Sequence, residues 1–141
     1  MKSILIFLTS VLLSTASLAE TNKWMKVESS PNHTYYLNPA FMFVQDENKK
    51  IVRFWVRAEI TVSKTKEGLT KGDSIKTLNY AKCTDKQHAI KEIYVYKKSG
   101  VLFDKQIIPS LKYENIVPNT IQSIVVSSVC DDLFLLRKIN P

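Results

Sequence analysis

Two cysteines, two histidines and an arginine–tryptophan–arginine stripe are the residues in this sequence with the most chemistry to offer. Cys83 and Cys130 are its only thiols. A zinc site wants four ligands, and the chain supplies two Cys and two distant His. A dithiol redox pair wants the CxxC spacing, which is absent. His33 and His88 stand apart in polar surroundings and read as surface histidines. There is no GxSxG, no HExxH, no glycine-rich phosphate loop and no DxDxDG calcium loop. Asp131-Asp132 reads as the end of a helix rather than a metal pair. Asn32-His33-Thr34 matches a glycosylation tripeptide that often occurs by chance. The expectation is a non-enzyme with no catalytic residues, no metal and no cofactor.

The N-terminus determines how the cysteines are read. Residues 1–19 carry the three parts of a secretory signal: Lys2, an apolar run over 4–13, and the small-x-small site Ser17-Leu18-Ala19. The apolar run is shorter than the roughly 20 residues a spanning helix needs. Glu20 stands where a lipoprotein would place its lipidated Cys. These features predict an exported chain, periplasmic or secreted, without a lipid anchor or transmembrane segment. Residues 20–141 are expected to form one domain. In an oxidising compartment Cys83 and Cys130 are most simply a structural disulfide.

Lys and Arg number 20 against 13 Asp and Glu, for a formal net charge of +7. Such a charge attracts anionic partners, among them anionic polysaccharides. The plainer account is a soluble lysine-rich surface that discourages strand edges from pairing. Nucleic acid is not expected, because no recognition motif accompanies the charge.

The elements that would position these residues are mostly strands. Residues 24–29 read as a first strand and 33–37 as a second. Asn38-Pro39 reads as a turn and 40–45 as a third, followed by a charged hairpin over 46–50. Residues 51–62 give the clearest alternation: Val52, Phe54, Val56, Ala58, Ile60 and Val62 fall on one face. Arg53, Trp55 and Arg57 fall on the other, which is the pattern of an antiparallel sheet with one buried and one wet face. That stripe is a candidate binding face, or else ordinary packing of long side chains over an exposed Trp. The polar stretch 63–73 lacks periodicity and reads as a mobile loop. Its Lys64, Lys66 and Lys71 are a candidate binding loop.

Strands follow at 74–83, 90–97 and 101–107, with a charged loop at 84–88. Pro118-Asn119-Thr120 then opens a helix that Asn119 or Thr120 can cap. Ile121, Ile124, Val125, Ser128 and Val129 form its apolar stripe, and Cys130 lies beside it. Residues 133–139 read as an edge strand or as a continuation of the tail.

In order, these features are a signal peptide, a strand opening on Trp24, Tyr35-Tyr36-Leu37, a charged hairpin and the strand Val52-Arg53-Phe54-Trp55-Val56. Ser74 and Lys76 precede Cys83, Gly100 comes late, and Pro118 opens the helix that carries Cys130. The sequence resembles the surface-adhesin protein E family of small exported bacterial proteins over nearly all of its mature length. The resemblance implies an α+β fold, an antiparallel β-sheet packed against a C-terminal α-helix, with the helix stapled to a strand by Cys83–Cys130. It also implies pairing as a homodimer and adhesion to host matrix proteins such as vitronectin and laminin. The family's lipidated Cys has no counterpart at Glu20, and its binding regions cannot be carried over residue by residue. The function expected is an exported non-enzymatic binding module. The alternative is a soluble periplasmic protein that captures a small ligand or assists envelope assembly, which an apolar pocket between sheet and helix would favour. A third reading is an inhibitor of a secreted enzyme that inserts the loop 63–73.

Overall fold

The computed structural model describes residues 23–134. The signal segment expected over 1–19 lies outside them, as does most of the segment 133–139. Six strands run in sequence order across one antiparallel sheet: β1 (Met25–Ser29), β2 (His33–Asp46), β3 (Ile51–Ile60), β4 (Ser74–Lys82), β5 (Gln87–Tyr96) and β6 (Leu102–Ile107). A two-residue strand, β7 (Glu114–Asn115), pairs with β5 at Gln87 and His88, so β6 and β7 share one edge of β5. The chain then crosses the sheet as a single helix, α1 (Ile121–Phe134).

The alternation in β3 sets which face the helix covers. Val52 and Phe54 are fully buried. They join Leu37 and Met42 of β2, Ala81 of β4, and Val125, Val126 and Val129 of α1 in one core. Arg53, Trp55 and Arg57 point to the opposite face. The apolar stripe of the helix is rotated by about one position from the expected one. Val126 is buried, whereas Ile124 is 38% exposed. The β-branched composition makes several helical phases equally apolar, so periodicity alone does not choose among them. Asn119 adopts a left-handed φ of 59° before the helix, and Thr120 is the cap. Thr120 Oγ1 accepts the Ser123 N–H at 3.2 Å, and Ser123 Oγ accepts the Thr120 N–H at 3.1 Å. This reciprocal pair satisfies two backbone donors in the manner of a capping box.

Two expected turns are parts of strands. Asn38-Pro39 lies within β2, where the pairing to β3 slips between Leu37 and Met42. Asn38 Oδ1 accepts the Ala40 N–H at 3.0 Å, closing a local bulge that accommodates a proline with no N–H to give. His88, expected in a loop, belongs to β5. The stretch 63–73 is folded back on itself. Lys64 bridges to Thr70, and Leu69 is only 6% exposed.

Cys83, one residue past β4, is bonded to Cys130 of the helix, with a Cα–Cα distance of 5.8 Å. The bridge spans 47 residues, for which loop-closure entropy gives about 4 kcal/mol. Replacing both cysteines by Ala should lower the unfolding free energy by about that amount, read as an earlier urea midpoint at an unchanged slope. A double variant as stable as the wild type would show that α1 holds without its covalent tie.

Candidate functional site

The outer face of the sheet, away from the helix, is laid out by strand register. One row crosses all six strands: Lys26, Tyr36, Arg57, Lys76, Tyr94 and Lys105 are successive partners. Cations and rings are therefore brought side by side by the backbone alone. The Arg57 guanidinium lies 4.9 Å from the Tyr36 ring centre and 5.9 Å from that of Trp24. The Lys76 ammonium is 4.7 Å from Tyr96, and that of Lys105 is 5.3 Å from Tyr94. Each such contact contributes about 0.5–1 kcal/mol when partly exposed. Together they order long side chains that would otherwise be mobile.

The three candidate residues of the binding face do meet here. Arg53 stacks over Phe43 at 5.2 Å, and Trp55 packs against Tyr94 at 5.8 Å. Arg57 also donates to Glu59 Oε2 at 2.6 Å. All three are half-buried rather than fully wet, because aromatic and aliphatic stems cover one another. Register also puts Lys82 on this face, so its cations are Lys26, Arg53, Arg57, Lys76, Lys82 and Lys105, against Asp46, Glu59 and Glu92. The Tyr94 hydroxyl donates to Glu92 Oε2 at 2.7 Å, which ties up that carboxylate and raises the phenol's pKa. Sequence reading found three residues of this surface. The others were visible only as scattered lysines and tyrosines until pairing aligned them.

Lys64, Lys66 and Lys71 are exposed on the loop beyond β3, at the end of the sheet rather than within that face. The loop is anchored through Asp73, which is 2% exposed. Its carboxylate accepts from the Thr70 N–H at 2.9 Å, the Lys98 N–H at 2.9 Å and Lys97 Nζ at 3.2 Å. The Thr70 N–H is the largest influence holding its pKa down at about 2, ahead of Lys98 and Lys97 and against the opposing effect of burial.

A second feature lies on the helix side. His88 is buried, not a surface histidine. It stands in β5 opposite Ala81 of β4 and belongs to a hydrogen-bonded chain. The Asn79 amide donates to the Thr77 carbonyl at 2.8 Å, which turns Asn79 Oδ1 toward His88 Nε2, also at 2.8 Å. His88 Nε2 therefore carries the proton, and Nδ1 accepts from the Gln122 amide of the helix. Burial lowers the His88 pKa below the ordinary 6.5, with a smaller opposing pull from Glu114.

The profile of the surface-adhesin protein E family matches residues 24–131. The chain belongs to that family. The structure is similar to that of Haemophilus influenzae protein E, with 14% identity, 77% of this chain and 94% of that chain covered, and a TM-score of 0.49. A second crystal form of that protein gives 12% identity, 77% and 97% coverage, and a TM-score of 0.48. Comparison with curated proteins finds no match. Membership implies an adhesin-like, exported surface protein and suggests a non-enzymatic role. Among the described residues, no helix is long and apolar enough to cross a membrane.

A depressed histidine pKa means that the unfolded chain takes up the proton first as pH falls. Stability contributed by neutral His88 is complete above pH 6.5 and declines below it, until the folded form also protonates. Thermal melts should therefore fall between pH 7 and 5. His88→Gln, which keeps a donor without a titrating ring, should flatten that decline. An unchanged slope in the variant would place its origin elsewhere.

Proposed function

We propose that this protein is an exported, non-enzymatic adhesin-like module that uses the outer face of its sheet to hold an anionic partner, either a host matrix protein or an anionic polysaccharide. The observation that carries this reading is the six-strand row from Lys26 to Lys105, in which cations and aromatic rings are held beside one another in fixed register. Ammonium and guanidinium groups attract sulfate and carboxylate, while tyrosine and tryptophan rings offer apolar faces to sugar rings or to apolar side chains. Family membership supports the adhesive role. The net charge of +7 supports the sign of the partner.

The test is retention on immobilised heparin and on matrix proteins across a salt gradient. The wild-type protein should bind and elute earlier as salt rises, since exposed charges are screened. Arg53→Ala with Arg57→Ala should weaken binding about tenfold, equivalent to ~1.4 kcal/mol. Stability should fall by about 1 kcal/mol as the ring contacts are lost. Equal binding by the variant would remove this face from the account.

The dimer that the family resemblance implies has an available surface in β6. Its pairing runs to β5 on one side, and Leu102, Phe103 and Ile107 are exposed along it. Unpaired apolar edge strands are the usual template for joining a second chain. Sedimentation should show a concentration-dependent dimer that Phe103→Lys shifts to monomer. A dimer unaffected by that substitution would have to form elsewhere.

A further inference from the structure

The helix leaves part of the inner face of the sheet uncovered. Between its first turns and strands β2–β5 lies a groove with a volume of about 370 Å³. Phe54 is buried at its edge, Val56, Ala58, Ile75 and Ile90 line the sheet side, and Ile121 and Val125 line the helix side. Among the described residues that line it there is no Lys, Arg, Asp or Glu. Its ionisable side chains are the imidazoles of His33 and His88 and the Tyr35 phenol, so the groove favours a ligand without a full charge. The size falls at the lower end of the range of about 300–1,000 Å³ typical of small-molecule sites.

The hydrogen-bond chain in the groove wall gives the site a polarity. It begins at a backbone carbonyl, Thr77 O, whose role as acceptor is fixed. Each later group is forced in turn: Asn79 must donate to that carbonyl, His88 must donate to Asn79, and Gln122 must donate to His88. The Gln122 amide thus commits an N–H inward, and its Oε1 accepts no hydrogen bond from the described residues. Nearby, the Tyr35 ring forms part of the wall beside His33, at 5.9 Å between ring centres.

We infer that this groove is a binding site for a neutral, mainly apolar small molecule of two or three rings that carries an N–H or O–H donor, which is received by Gln122 Oε1. The site is independent of the outer face, since the two lie on opposite sides of the sheet.

N-phenyl-1-naphthylamine is a suitable probe, because it is uncharged, has two aromatic units and carries a single N–H. Titrated into the full folded protein, it should give saturable fluorescence enhancement at one site. Amide shifts in the wild-type protein should cluster at Ala58, Thr77, Ile90 and Gln122. Ala58→Trp, which fills the groove, should weaken binding at least tenfold, whereas Arg53→Ala on the far face should leave it unchanged. The N-methylated probe, which lacks the donor, should bind several-fold more weakly. Non-saturable fluorescence, or shifts confined to the outer face or β6, would overturn the site even if Ala58→Trp fails to fold. Equal binding of the two probes would overturn the role given to Gln122.

Discussion

A single helix must close a sheet wider than itself, and most of the structure follows from how it is placed. A helix of 14 residues is about 21 Å long. Six strands spaced at about 4.8 Å span about 24 Å, and the helix is only about 10–12 Å across, so one crossing seals a band and leaves the rest. Val125, Val126 and Val129 spend the helix's apolar side on Leu37, Met42, Val52, Phe54 and Ala81. Cys83–Cys130 then locks that placement from the side. Where the helix stops, the inner face changes from core to groove. That boundary is marked by the polar chain from Thr77 to Gln122, which keeps its buried amide and imidazole groups satisfied, as low-dielectric surroundings require.

The outer face solves a different problem. Among the described residues no second layer covers it, yet half of its residues are aromatic or carry long stems. Lamination of cations over rings shields apolar surface without a second sheet or helix, and amphipathic side chains suit this because only their tips need water. The same arrangement fixes the charges in place, so a partner meets a surface that has already lost much of its rotational freedom.

Much of this was legible in the sequence, and the failures have physical causes. The alternation in β3 correctly separated Val52 and Phe54 from Arg53, Trp55 and Arg57, because a strand buried on one face writes its period directly. The antiparallel α+β arrangement and the Cys83–Cys130 staple were likewise expected. His88 was misread because the charged stretch around Asp85 and Lys86 reads as a loop, and a phase change in β5 keeps alternation from correcting that reading. Leu78 pairs with Glu92 while Asn79 pairs with Ile90, which leaves Lys91 as an extra residue. Alternation counted back from Ile93 and Val95 puts His88 on the wrong side. Asn38-Pro39 looked like a turn because its composition is that of a turn, although a buried Asn side chain holds it inside a strand. The cross-sheet row was invisible because it joins residues from six separate segments.

The extra residue in β5 has a consequence for inheritance. On one side of Lys91 the even-numbered residues face the helix; on the other side the odd-numbered ones do. Lys91 itself reaches the carbonyls of Ile108 and Pro109 at 2.8 and 3.0 Å, tying the outgoing chain to the same point. Side chains around it can drift between lineages with local cost. A one-codon deletion of Lys91 would let Ile90, Glu92 and Ile93 alternate without a break, keeping every other side chain on its own face while removing that tie. What Lys91 adds is a bend and an anchor, because the pattern on either side is the same without it.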